Sequence, residues 1–380
     1  TGATAVTPAL FLAVRPFQVN PPTQFLNLRG GCAPIHRLAL EGANVAVDGE
    51  PAIFCLTPPA AAGATTFAGG DVVADYLRSG WVPPDSAVTD DFGAASGALA
   101  WPLALDPGAV EEVALVVPLH DGALAALTPQ LTAAGVAEKA ARGAGTASAL
   151  EPTDAAAARL WVTEELRRCG NDWRRRLGTF QLELPRGNAW LAESIRAQIG
   201  WILVTRAGPA FQPGVRSYAR SWIRDGALTA SALQRVGLSE PAREFAEWYA
   251  PHQYPNGKVP CVVDARGADP VPEHDSSGEF IFMIAEDYRY THDRDFAARM
   301  WPRVRAAAAY LDSLRHERLG EEWRAPDKIE FHGLLPPSIS HEGYSAKPMH
   351  SYWDDFFAYR GFRDAARSEE HTSELQSHHP

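Results

Sequence analysis

The sequence predicts a β-sandwich domain followed by an α/α toroid, that is, helix pairs arranged in a ring. Three observations predict it. Up to residue 125, short apolar runs are broken by Gly and Pro, the signature of short strands and tight turns. From Asn188 onward the apolar residues recur every four positions, as on one face of a helix. Between the predicted helices short and long connections alternate, which gathers the long loops at one end of the ring around a single crater.

In chain order, Ala9–Val14 is a short apolar run closed by Arg15-Pro16. Asn44–Val47 and Ala52–Leu56 flank Asp48-Gly49 and read as a hairpin with a tight turn. Ala98–Leu105 and Glu112–Leu119 are separated by the turn residues Asp106-Pro107-Gly108. Residues 126–187 read as a linker carrying one helix and one short strand. Thr153 or Asp154 caps the helix Ala155–Arg168, and Gly178–Leu184 is the strand, closed by Pro185. Six helices follow over residues 188–366. The first carries Leu191, Ile195, Ile199 and Leu203 on one face. Then come Trp222–Val236, Glu240–Tyr249 with Pro241 in its first turn, Ser276–Tyr288, a helix through Phe296, Met300, Val304, Ala308 and Leu311, and Tyr352–Ala366. The long loops are Arg206–Arg220, Pro251–Asp275 and Arg315–Ser351. Loops of that length in a compact domain usually carry function.

Composition narrows the partners. The formal charge of −11 comes without a basic stripe, which argues against nucleic acid and against an anionic membrane surface. No apolar run approaches the length of a membrane span, so no membrane insertion is expected. Eleven Trp favour two readings, a large core or aromatic platforms for the apolar faces of sugar rings. Cys32, Cys55, Cys169 and Cys261 form no metal-binding spacing, and the His and acidic residues show no such motif either. No metal and no cofactor is expected. No signal peptide is visible, and the compartment is left open.

Three acidic clusters stand at helix starts or in long loops: Ser221-Trp222-Ile223-Arg224-Asp225-Gly226, Glu273-His274-Asp275-Ser276-Ser277-Gly278-Glu279, and Tyr352-Trp353-Asp354-Asp355-Phe356. Cleaving a glycosidic bond needs a protonated carboxyl group beside the leaving oxygen and a second carboxylate opposite. In inverting enzymes that second group activates water, and the two stand roughly 6.5–9.5 Å apart. Adjacent Asp354 and Asp355, flanked by Trp353 and Phe356, suit the acid, because like charge and an apolar wall both raise a carboxyl pKa. Each cluster also has a structural reading. Asp225 caps a helix or pairs with Arg224, Asp275 caps the next helix while Glu273 is a solvated loop residue, and Asp354 and Asp355 complement a helix dipole.

These motifs resemble the six-hairpin (α/α)6-barrel glycosidases, closest to the glucoamylase-like group and to glycoside hydrolase family 63. The resemblance makes residues 188–366 the first half of such a catalytic barrel and residues 1–125 the N-terminal β-sandwich of its bacterial members. Ser-Trp-Ile-Arg-Asp-Gly is similar to the family's Trp-x-Arg-Asp motif, whose Arg and Asp hold sugar hydroxyls. It implies substrate-binding roles for Arg224 and Asp225, with Trp222 as a stacking platform. Glu273 and Asp275 become further substrate-binding acids. Tyr-Trp-Asp-Asp stands where these families carry their general acid, which implies that role for Asp354, with Trp353 and Asp355 beside the sugar. Lys347, His341 and His350 on a rim loop are expected to contact substrate, and Tyr254, Asn256 and Lys258 form a weaker case.

The implied function is an inverting glycoside hydrolase acting on an α-linked oligosaccharide or glycoconjugate. The alternatives are a phosphorylase of the same fold, a polysaccharide lyase, and a non-catalytic carbohydrate-binding module. A lyase fits poorly, since it binds acidic polymers with Arg, His and Tyr. The family's general base lies in the last third of the barrel. Arg367–His378 resembles the in-frame translation of a sequencing adapter, so residues 367–380 are expected to be foreign and the chain inactive for want of that base.

Overall fold

The computed structural model describes residues 6–20, 31–118, 123–139, 150–214, 218–339 and 347–376. By contacts the chain divides into two compact units between Trp173 and Arg174.

The first unit is rich in sheet. Its elements are β1 (Ala9–Val14), β2 (Phe17–Asn20), β3 (Gly31–Ala33), β4 (Arg37–Glu41), β5 (Asn44–Val47), β6 (Glu50–Cys55), β7 (Ala61–Thr65), β8 (Ala87–Thr89), β9 (Ser96–Pro102) and β10 (Leu115–Val116). Then follow α1 (Ala123–Ala133), β11 (Ala137–Lys139), β12 (Leu150–Pro152) and α2 (Ala155–Leu177). One sheet has the order β1-β9-β7, a second β10-β6-β5-β4-β8, and all their pairings are antiparallel. Both sheets feed one apolar core. Leu38, Leu40, Val45 and Phe54 come from the larger sheet, and Leu99 and Trp101 from the smaller. The predicted hairpin is β5–β6. Asp48 and Gly49 at its tip both have positive φ, 52° and 91°, as a turn matched to strand twist requires.

Three expectations for this region are corrected. The run Ala98–Leu105 stops as a strand at Pro102, which has no N–H for the ladder. Among the described residues of Glu112–Leu119, the strand is Leu115–Val116, paired with Cys55 and Phe54 of β6. Residues Gly178–Leu184 form no strand. The stretch read as a linker also does more than connect, since Leu131, Val136, Ala137 and Ala158 are buried in the first core. Asp154 accepts the Ala156 N–H at 2.9 Å at the start of α2, which runs to Leu177 rather than ending at Arg168.

The second unit is helical. It contains α3 (Ala189–Val204), β13 (Ser221–Trp222), α4 (Ile223–Arg235), α5 (Ser239–Tyr249), β14 (Val262–Asp264), β15 (Gly267–Ala268), α6 (Ser276–Thr291), α7 (Arg294–His316) and α8 (Tyr352–Gln376). All six predicted helices are present. On α3, however, only Ile199 of the four-apart set is deeply buried, while Leu191 and Ile195 are exposed.

Helix α6 is the centre. Every residue from Ser276 to Asp287 is buried, and α4, α5, α7 and α8 all pack on it. Small residues set the close approaches. A Cβ at Gly278 would sit 2.1 Å from the Phe357 carbonyl oxygen of α8, and one at Gly226 would sit 2.1 Å from the Phe245 ring of α5.

Polar contacts show that α4, α6 and α8 run parallel. At their N-terminal ends Arg224 of α4 reaches Asp275 at the start of α6, and so does Trp353 of α8. About two turns or more further along each helix, Ser231 of α4 and Arg360 of α8 both reach Glu286 of α6. Three helix N-termini therefore meet at one end of the unit.

Candidate active site

The meeting point of those N-termini is acidic and mostly buried. Arg224 sits in the first turn of α4, 18% exposed in its side chain, where the two-stranded pairing of β13 with β14 fixes the chain just before it. Its Nη1 donates to Glu273 Oε2 at 2.9 Å and to Asp275 Oδ2 at 3.3 Å, and its Nε lies 3.9 Å from Asp225 Oδ2. Asp275 has no solvent exposure. It also accepts the Trp353 indole N–H at 2.9 Å, and the Ser276 hydroxyl lies 3.3 Å from its Oδ1. The Asp275 side chain caps no helix.

Asp354 lies in the first turn of α8, 1% exposed. The Ser338 hydroxyl donates to its Oδ2 at 2.7 Å, and its Oδ1 is buried without a hydrogen-bond partner. Burial, then the charge of Asp275, push its pKa from the ordinary 3.8 up to about 7, while the Ser338 hydrogen bond pulls the other way. Burial and Asp275 likewise raise Glu273 to about 7, against the pull of Arg224. Both carboxyl groups therefore sit near the balance point for giving or taking a proton at neutral pH. Asp225 is raised by burial and held back by Arg224. Asp355 is raised by burial and held back by the Leu335 N–H, which reaches its Oδ1 at 2.9 Å.

The expected residues divide into groups. Arg224, Asp225, Glu273, Asp275, Trp353 and Asp354 come together, with Asp355 beside them. Trp222 is half-buried at the mouth of α4, but the Arg220 guanidinium lies over its ring at 5.3 Å from the centroid. Asp275 has no solvent exposure, and its carboxylate accepts from both Arg224 and Trp353. His350 serves the Leu335 carbonyl, 3.0 Å from its Nδ1, and stacks on Phe331 at 4.5 Å. Lys347 is exposed, and among the described residues no hydrogen bond or ion pair ties it to the cluster. His341 lies outside the described residues. Tyr254, Asn256 and Lys258 fasten their own loop, through the Ala268 carbonyl, the Lys258 N–H and the Pro270 carbonyl.

Two participants were not assigned roles from sequence. Glu279, one turn into α6, is fully buried and neither of its carboxyl oxygens has a donor. Its spacing of four from Asp275 was the available signal. Ser338 follows Pro336-Pro337 and carries no sequence signal at all.

A second ionic network lies toward the C-terminal ends of the same helices, and the contrast is informative. There Glu286, Asp287, Asp293 and Asp364 face Arg235, Arg243, Arg289 and Arg360. Charges of that network are matched. At the N-terminal end, among the described residues, Arg224 is the one cation hydrogen-bonded to the cluster, at Glu273 and Asp275, and no cation is hydrogen-bonded to Glu279 or Asp354. An ionic cluster built only for stability pairs its charges, because unpaired buried charge is costly. Among the described residues no group of three His, Cys, Asp or Glu is placed to hold a metal ion, and no helix is long and apolar enough to cross a membrane.

Against known proteins, no family model matches this chain, and no curated protein matches it.

Proposed function

We propose that the second unit is the acid-bearing part of a carbohydrate-processing site, of the inverting glycoside hydrolase type acting on α-linked oligosaccharides or glycoconjugates. The observation that carries this reading is the charge imbalance where α4, α6 and α8 begin. Carboxyl groups there outnumber the single guanidinium, and two of them titrate near neutrality. The resemblance of the Trp-x-Arg-Asp and Trp-Asp-Asp motifs to (α/α)6-barrel glycosidases supports it, as does the parallel packing of α4, α6 and α8 backed by α5 and α7.

In this reading Asp354 gives its proton to the departing glycosidic oxygen as the C1–O bond breaks, and is left as a carboxylate. Arg224 and Asp225, the more exposed members, hold sugar hydroxyls. Trp353 is fixed edge-on by Asp275, so its ring is positioned before a ligand arrives. Asp354 is almost wholly enclosed and its Oδ2 holds the Ser338 hydroxyl, which leaves Oδ1 as the oxygen free to carry the proton. By the same resemblance the carboxylate that activates water belongs to the later part of such barrels.

The test is calorimetric titration of the chain with neutral α-linked gluco-oligosaccharides, beside uronic-acid oligomers and beside Asp225→Asn. Saturable binding of the neutral sugars, weakened about tenfold by the substitution, is expected for one lost charged hydrogen bond. Binding to none of the sugars, or tighter binding of the uronic acids, would overturn the reading.

A further inference from the structure

We propose that Glu279 is a positioning residue that keeps its proton at neutral pH and donates it to Asp275, so fixing the carboxylate that aims Arg224 and Trp353. Glu279 is fully buried in the first turn of α6, and neither Oε1 nor Oε2 has a hydrogen-bond donor. As a carboxylate it would be a buried charge with no donor at all, a condition proteins avoid by neutralising the group. As a carboxylic acid it needs an acceptor, and Asp275 lies one helical turn before it, where side chains four apart share a face.

Among the described residues, the donors nearest it are already engaged. From α4, the Arg224 guanidinium is already engaged by Glu273 and Asp275. From α5, the Tyr249 hydroxyl donates to the Pro260 carbonyl at 2.9 Å. Preceding α6, Glu273 and Asp275 add like charge, and α8 sends its Trp353 N–H to Asp275. The positive end of the α6 dipole favours an ionised Glu279, but a dipole's effect is small beside the cost of burying an unpaired carboxylate. Consistently, burial first and Asp275 second hold the Glu279 pKa well above the ordinary carboxyl value.

The chain of contacts then reads Glu279 to Asp275, and Asp275 to both Arg224 and Trp353. A single proton held in the interior sets the orientation of both groups that the sugar reading places at the ligand. The inference rests on the cluster's geometry and not on that reading. Failure of sugar binding with Glu279 protonated would count against the reading alone.

The test is infrared spectroscopy of the whole chain at about pH 8, where Glu273 and Asp354 have largely lost their protons. A protonated-carboxyl carbonyl band is expected to persist, to shift on labelling with ¹³C-glutamate, and to vanish in Glu279→Gln. The labelled parent chain gives the answer even if the variant fails to fold. Absence of a label-sensitive band at that pH overturns the proposal. The positioning role is read from the Trp353 indole N–H resonance, assigned by its loss in Trp353→Phe. Glu279→Gln, which still offers a donor, is expected to leave that resonance in place, and Glu279→Ala to move it. An equal shift in both variants, or none in either, overturns the role.

Discussion

Replacing Arg224 with Met removes the cluster's guanidinium while keeping the aliphatic stem, and the structure fixes how large the penalty is. Arg224 is mostly buried and hydrogen-bonds Glu273 at 2.9 Å and Asp275 at 3.3 Å, with Asp225 at 3.9 Å. Removing one partner of a buried ion pair costs about 3–5 kcal/mol, because the carboxylates left behind are uncompensated. The penalty depends on pH in a defined direction. Arg224 holds the Glu273 pKa down, so without it Glu273 takes up a proton more readily. Protonation relieves part of the uncompensated charge, so the loss is smaller on the acid side of about pH 6 and grows as pH rises past about 7. Urea unfolding followed by circular dichroism at about pH 5.5 and pH 8 measures both. A loss of about 3–5 kcal/mol at the higher pH, reduced by half or more at the lower, is expected. A loss under about 1 kcal/mol at both pH values, or one independent of pH, would refute the reasoning.

Further outcomes follow from the same geometry. Because Glu273 and Asp354 are both raised to about 7, the folded chain holds protons that the unfolded chain sheds. Their contribution to stability is complete below the unfolded carboxyl range, about pH 4, and is lost as pH rises through about 7. Thermal melts across that range should show stability falling toward the alkaline side, and Asp354→Asn should flatten the slope. Gly278→Ala places a Cβ against the Phe357 carbonyl, backbone that cannot swing away. It should cost about 3 kcal/mol or more, or abolish folding, as read by far-ultraviolet circular dichroism.

Much of this was legible in the sequence, and the parts that were not share a cause. The helices around Trp222–Val236, Ser276–Tyr288 and Tyr352–Ala366 follow from local periodicity, and the acidic motifs at their starts from residue type. The Asp48-Gly49 turn follows from the two residues that best tolerate positive φ. The strand expected at Gly178–Leu184 failed because a strand needs a partner, which apolar content alone does not supply. Leu191 and Ile195 fit a helical stripe yet remain exposed, since periodicity does not say what covers a face. The site shows the same divide. Residue types pointed to Arg224, Asp225 and Asp354. That Asp275 is wholly enclosed, that Glu279 has no donor among the described residues, and that the Ser338 hydroxyl bonds Asp354 depend on how segments far apart in sequence pack. Lys347 stands out in the sequence for its chemistry alone, and among the described residues no hydrogen bond or ion pair draws it to the cluster.

The most direct check on the account is the titration of the Asp354 carboxyl carbon by NMR in ¹³C-aspartate-labelled chain, assigned through Asp354→Asn. The account predicts a midpoint of about 7, with the proton still present at the acid edge of neutrality. A midpoint in the ordinary aspartate range, about 4, would leave Asp354 an ionised helix-end residue and contradict its role as a proton donor.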